Sequence, residues 1–350
     1  MRRGSMLVLG AALFVTVPFA TLPQQQTQQA PAATPVDNKI LLDVVVAPKS
    51  GGAVPGLTQP DFTVLDNGAP QTIASFRAIS GREAEVESLI VIDAVNTGVN
   101  NVNYARNELE KFLKSESGAL AHPTAIAVLT DTGIQTLGPF STEGTDLNAQ
   151  VDKSQIALRS LTRSGGFYGA AERDDISLRA LGGISVAETQ RNGRKLVLFL
   201  SPGWALLSGA NVELDKKQEQ QVFSDIVTTS ANLMRARITL YAVDPLGTTD
   251  AGMHSVYYKS FLKGVTKLSD VHFGALALQV LAEQSGGLAL SESNDVAAEI
   301  RRCLADADNY YEISYVPPAS TKPNEFHKID VKIAKPALIA RTRMGYYSQP

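Results

Sequence analysis

The stretch SLIVIDAVNTGVNN, residues 88–101, decides how this chain reads. A β-branched apolar run ends at Asp93, and small polar residues follow. Such a run reads as a buried strand that delivers a carboxylate to the loop beyond it. From there the period changes: Val102, Ala105, Leu109, Phe112 and Leu113 recur at helical spacing. A strand feeding an amphipathic helix is the unit from which parallel sheets are built.

Working outward, the alternation continues. TAIAVLTD (124–131) and GIQTLGPF (133–140) read as two strands joined at Asp131, Thr132 and Gly133, a hairpin that makes the second strand antiparallel. Helical material follows, interrupted by the glycine-rich SGGFYGAAERDD (164–175), read as a flexible loop beside the strand ends. RKLVLFLSPG (194–203) and ARITLYAVDP (236–245) are strongly apolar strands. Between them Val222, Phe223, Ile226, Val227, Leu233 and Met234 mark a long amphipathic helix. ALALQVLAEQSGG (275–287) reads as a helix stopped by Gly286 and Gly287, then LALSES as a strand and the segment around Cys303 as a last helix. The fold class is therefore α/β: a doubly wound, mostly parallel, Rossmann-like sheet covered on both faces. Ligands of such sheets bind beyond the carboxyl ends of the strands, where Asp93, Asp131 and Asp244 fall.

Both flanks are strand-like. ILLDVVVAP (40–48) and DFTVLDNGAPQTIASF (61–76) precede the α/β region, the second with a tight turn at Asp66, Asn67 and Gly68. NYYEISYVPP, FHKIDVKIA and ALIARTRMGYY follow it. The expected organisation is a β segment over 38–84, the α/β domain over 85–307, and a β segment over 308–350. Each flank is too small for its own core, so the economical arrangement pairs them into a companion β-sandwich with the α/β domain inserted. Separate additions to the α/β domain are the alternative.

Arg2 and Arg3 followed by an apolar run to Ala20 read as a signal peptide over 1–20. The Gln-, Pro- and Ala-rich residues 21–37 read as a disordered linker. The protein is thus expected to be exported, periplasmic or extracellular, with an uncleaved anchor in the inner membrane as the alternative. Cys303 is the only cysteine, so stability comes from burial without an intrachain disulfide. A net charge of -3 gives no nucleic-acid footprint.

The order of several segments is that of a known family. GLTQPDFTVLDNGAPQTIASF, IDAVNT, NGRKLVLFLSPG, LYAVDPLG, LAEQSGGLALSESND, NYYEISYVPP and RTRMGYY occur in that order. In this the chain resembles the acidobacterial-type von Willebrand factor type A (VWFA)-related proteins. The resemblance implies a central sheet between helices, a metal-ion-dependent adhesion site on top, and adhesion or scaffolding more often than catalysis.

That site resembles Asp-x-Ser-x-Ser after the first strand, with a Thr and an Asp from later loops. Asp93 matches the first position and Thr97 the last, but Val95 replaces the middle serine. Ser201-Pro202-Gly203 stands where Thr-Asp-Gly is expected, and Thr162 and Ser164 lie out of register for the remaining Thr. The resemblance thus implies a degenerate site. The cofactor expectation is none, or Mg²⁺ or another divalent cation held by Asp93 and Thr97, with Asn96, Asp131 or Asp244 as further ligands. The Asp174-Asp175 pair is a further source of carboxylates, and loop carboxylates that merely cap turns are the alternative for each.

The expected activity is non-enzymatic binding of a protein partner through the face around Asp93, Thr97, Ser201 and Trp204. A passive envelope scaffold is the second reading, and a hydrolase using Ser201 the third. The last lacks a Gly-x-Ser-x-Gly elbow. None of the four histidines has metal-ligand spacing, and neither a P-loop nor a Gly-x-Gly-x-x-Gly turn is present.

Overall fold

In a computed structural model, residues 39–49, 51–81, 84–115, 118–154, 166–204, 213–247, 257–320 and 322–348 are described. The signal segment, the linker, Thr162, Ser164 and His254 lie outside them.

The chain enters with β1 (Ile40–Pro48), β2 (Phe62–Asp66), β3 (Ala69–Gln71) and β4 (Ile73–Ser80). Asn67 and Gly68 turn β2 into β3 with φ of 49° and 82°, the left-handed pair a two-residue hairpin turn needs. The middle of the chain is β5 (Val86–Asp93), α1 (Val99–Lys114), β6 (Ala119–Thr130), β7 (Gly133–Thr136), β8 (Ser141–Glu143) and α2 (Gly144–Lys153). It continues with α3 (Gly166–Thr189), β9 (Arg194–Leu200), α4 (Lys216–Arg235), β10 (Ile238–Val243), α5 (Leu278–Gln284), β11 (Ala289–Leu290) and α6 (Val296–Leu304). β12 (Asn309–Tyr315), β13 (Phe326–Ile333), β14 (Leu338–Arg341) and β15 (Gly345–Tyr347) close it.

The central sheet runs β7-β6-β5-β9-β10-β11, with β8 also on β6. β5, β6, β9, β10 and β11 are parallel, and β7 and β8 are antiparallel to β6. Counted along the chain from β5 without β8, this is the order 3-2-1-4-5-6. The order reverses between β5 and β9, which makes that junction the switch point of the sheet.

Strand alternation divides the core in two. Ile90 and Ile92 of β5, with Leu196 and Leu198 of β9, join α1 and α6 on one face. Leu89, Val91, Val197 and Phe199 join α3 and α5 on the other. α1 buries Val102, Ala105, Leu109, Phe112 and Leu113, the residues whose spacing marks it as a helix. The thiol of Cys303 is enclosed in the first cluster, and burial pushes its pKa well above the ordinary thiol range.

Three segments differ from the sequence reading. From Gly166 the glycine-rich stretch is the start of α3, where buried Ile176, Ala180, Leu181 and Ile184 supply a packing stripe stronger than the local glycine preference. The helix expected over 275–287 divides into a 3₁₀ turn, Phe273–Leu276, and the short α5. LALSES contributes only Ala289–Leu290 as strand.

The flanks form two antiparallel sheets, β14-β1-β12-β4 and β15-β13-β2-β3. Both contain strands from each end of the chain: β1 pairs with β12 and β14, and β2 with β13. Their inward side chains, among them Leu42, Val44, Val64, Tyr311, Ile313 and Ile329, form one cluster. Buried Asp66 ties that core together: its carboxylate accepts from Tyr315 Oη at 2.9 Å and Tyr346 Oη at 2.8 Å, and pairs with His327 Nδ1 at 2.8 Å. Val45, Ile79 and Tyr310 point the other way into the α/β core, so Lys39–Pro350 forms one unit.

Candidate functional site

Asp93 ends β5 at the switch point. Along β5 the residues 89, 91 and 93 share a face, and along β9 so do 197, 199 and 201. Ile92 is paired with Leu200, so Asp93 and Ser201 emerge side by side toward α3. Ser201 Oγ donates to Asp93 Oδ2 at 2.6 Å. The loop then folds back on the same carboxylate. Val95 N and Asn96 N donate to Oδ1 at 2.8 and 2.9 Å, and Asn96 Nδ2 donates to Oδ2 at 2.8 Å. Asn96 Nδ2 also reaches Ser177 Oγ of α3 at 2.9 Å, and Ser177 Oγ donates to Arg173 O. On the other side Gly203 N donates to Ser201 Oγ at 2.9 Å.

Asp93 has no exposed surface. A buried carboxylate is tolerable only when its lone pairs are filled or a cation lies beside it. Here four donors occupy its roughly four acceptor positions. The result is a lock joining the β5–α1 loop, the end of β9 and the middle of α3.

A divalent ion is the group that the family resemblance implies at this point, and the residues do not fit one. A hard cation takes six or more oxygens with carboxylate charge among them. The one carboxylate present is saturated by protein donors, and Val95 is packed in the α3-side apolar cluster. Asn96 Oδ1 and Thr97 Oγ1 are buried without a hydrogen-bond partner, but both are neutral. Asp131 is exposed in the β6–β7 turn. Asp244 follows β10, two strands or roughly 10 Å from Asp93, where its Oδ1 accepts from Leu246 N at 2.8 Å. Asp175 pairs with Arg179 at 2.8 Å. Among the described residues no group of three or more His, Cys, Asp or Glu is placed to hold a metal.

The two residues expected to meet a partner are both buried. Ser201 spends its hydroxyl on Asp93. Trp204 packs edge-on against Phe199 at 5.9 Å, and its indole N–H donates to Leu276 O at 2.6 Å. A tryptophan whose N–H has an internal acceptor gains by staying inside. As for a hydrolase, no hydrogen bond or ion pair joins Ser201 to a histidine among the described residues. His122 is seven residues below Leu129, the partner of Asp93, and His327 is held by Asp66.

Sequence reasoning missed Ser177 and the donor role of Asn96. The shared parity of positions 93 and 201 was the available signal for the Asp93–Ser201 pair. Ser177 carries none, because its role depends on the height at which α3 packs.

No family model matches the chain, and no curated protein sequence matches it. Among solved structures, 74 chains match. One is the proximal thread matrix protein 1 of the mussel byssus, at 13% identity and TM-score 0.36, covering 69% of this chain and 50% of that one. Another is the pilus adhesin SpaC of Lactobacillus rhamnosus GG in its open conformation, at 9% identity and TM-score 0.40, covering 85% and 49%. A third is the BatB protein of Bacteroides thetaiotaomicron, at 10% identity and TM-score 0.33, covering 64% and 98%. The chain spans about half the length of the first two. At these scores the likenesses carry no argument about fold or activity.

Proposed function

We propose that the chain is a von Willebrand factor type A-related module that binds another protein outside the cytoplasm, through a rim at the carboxyl ends of its parallel strands and without a metal. The observation that carries this reading is the lock at Asp93. In an open sheet the crevice at the switch point is the place for a ligand. Here the loops bordering it are fixed to each other by buried hydrogen bonds. That leaves a preformed surface, which lowers the ordering cost of association. The sheet order, the family-like segments and the apolar N-terminal run support the same reading.

The surface for the partner is the rim around the lock, not Ser201 or Trp204. Val99, 40% exposed at the start of α1, and Tyr168, 82% exposed at the start of α3, are its apolar members. Aromatic and aliphatic groups of this kind anchor protein interfaces.

The test is quantitative capture of envelope proteins by the wild type, by the Val99→Arg/Tyr168→Arg double variant, and by Val186→Arg as an exposed control at the far end of α3. The same captured protein should be lost with the rim variant, kept with the control, and unaffected by EDTA. Equal capture by rim variant and control would remove the face assignment. Absence of any specific partner would favour a passive scaffold.

A further inference from the structure

One strand edge of the antiparallel sheets is left open. β4 ends the sheet β14-β1-β12-β4, and among the described residues β12 is its only neighbour. It is eight residues long, and its register with β12 is regular over residues 75–80. An edge strand presents a row of unpaired N–H and C=O groups to any extended chain that reaches it. The other outermost strands, β3, β7, β11, β14 and β15, have two to four residues each. β3 also carries Pro70, which has no N–H to offer, and Tyr347 of β15 packs against Val222, Ile226 and Val227 of α4. β4 holds no proline, and Arg77 is its only charge.

Ala74, Ser75, Arg77, Ala78 and Ser80 are exposed. Neighbouring residues of a strand face opposite sides, so both faces of β4 are open at 74–75 and at 77–78. Phe76 reaches the sandwich core, with ring centres 5.3 Å from Phe62 and 5.8 Å from Tyr311, yet it is only half-buried. An apolar side chain set beside it on an added strand would complete its cover. Arg77 points to the other face. Its side chain is 69% exposed, and among the described residues its one ion pair is to Glu312 at 3.3 Å, a carboxylate that also accepts from Arg237 at 2.7 Å.

We propose that β4 is a strand-addition site. It takes an extended segment of a partner protein, with apolar residues beside Phe76 and Ala78 and an Asp or Glu opposite Arg77. The backbone edge supplies hydrogen bonds, and the alternating side chains select the segment. A second copy of β4 is the competitor. Two such strands, paired antiparallel about their centres with their core faces aligned, set the two Arg77 guanidinia opposite or diagonal to each other. Like charges there repel, whereas an acid attracts. This surface lies on the antiparallel sheets and does not depend on the rim at the ends of the parallel strands.

The probe is a phage-displayed library of linear dodecapeptides, selected on the immobilised full chain. Enriched peptides should alternate apolar and polar residues and carry an acid among the polar ones. A synthetic peptide from that set should slow amide hydrogen exchange over Ile73–Ser80. Its affinity should fall roughly tenfold with Arg77→Glu and stay unchanged with Val99→Arg/Tyr168→Arg. Failure to enrich any peptide, enrichment without an acid, protection confined to other amides, or undiminished affinity in Arg77→Glu would each overturn the proposal. So would a dimer in equilibrium sedimentation whose Ile73–Ser80 amides are already protected, since the edge would then belong to a second copy. If Arg77→Glu does not fold, Arg77→Ala and the exchange pattern decide it.

Discussion

Replacing Ser201 by alanine removes one oxygen and breaks two bonds of the switch-point lock. The hydroxyl donates to a fully buried carboxylate at 2.6 Å and accepts from Gly203 N at 2.9 Å. A hydrogen bond to a charged group contributes about 1.5–3 kcal/mol, and a stranded backbone N–H costs about 1 kcal/mol more. The expected loss is about 3 kcal/mol. Unfolding entropy for a unit of this size is about 0.65 kcal/mol per kelvin, so Tm should fall by about 5 °C. The assay is calorimetry on wild type and variant, each with EDTA and with millimolar Mg²⁺. Neither addition should move the wild type. Nor should Mg²⁺ rescue the variant, although Asp93 Oδ2 then has a free lone pair, because a single carboxylate with neutral neighbours is a poor site for the ion. A fall of under 1 °C would mean that Asp93 is not held as described. A drop of several degrees on adding EDTA to the wild type would mean that a metal, not the hydroxyl, neutralises it.

Three further outcomes follow from the packing. Cys303, enclosed and with its thiol pKa raised, should stay unmodified by an aromatic disulfide reagent in native buffer and react stoichiometrically in denaturant; fast native labelling would contradict its burial. A Cβ on Gly287 would lie 1.8 Å from Leu240 O on β10, so Gly287→Ala should cost more than about 3 kcal/mol in urea unfolding, and a loss under 1 kcal/mol would show that the α5–β11 turn can move away. Burial pushes Tyr310 and Tyr347 each up to about 12, so their contribution is fully present below the ordinary tyrosine pKa of about 10 and is lost as pH rises toward 12. Urea midpoints should therefore begin to fall above about pH 8.5, where the unfolded Cys303 thiol ionises, and fall more steeply above 10, with the steeper part shallower in Tyr310→Phe.

Local patterns carried much of the fold. The spacing from Val102 to Leu113 marked α1 because a helix repeats its buried face every three to four residues, and nothing distant alters that. Asn67-Gly68 marked its hairpin because few other pairs tolerate positive φ twice in succession. By contrast, the start of α3 at Gly166 was hidden by glycines, since helix propensity there is overruled by packing against the sheet. The short α5 was masked by an apolar run whose first part is wound as 3₁₀.

At the site the division is sharper. Residue types alone established that Asp93 ends an apolar strand and that Val95 offers no side-chain oxygen, and the family resemblance implied an acid where Pro202 stands. They did not show what compensates the carboxylate, because its donors come from positions 95, 96 and 201, and the last is 108 residues away. Nor did they show which way Trp204 faces, a choice made by an acceptor on Leu276, 72 residues on. Periodicity, turn chemistry and missing ligands are properties of neighbouring residues and can be read in order along the chain. The filling of a buried carboxylate's lone pairs arises only when distant segments pack together and exclude the water that would otherwise have served them.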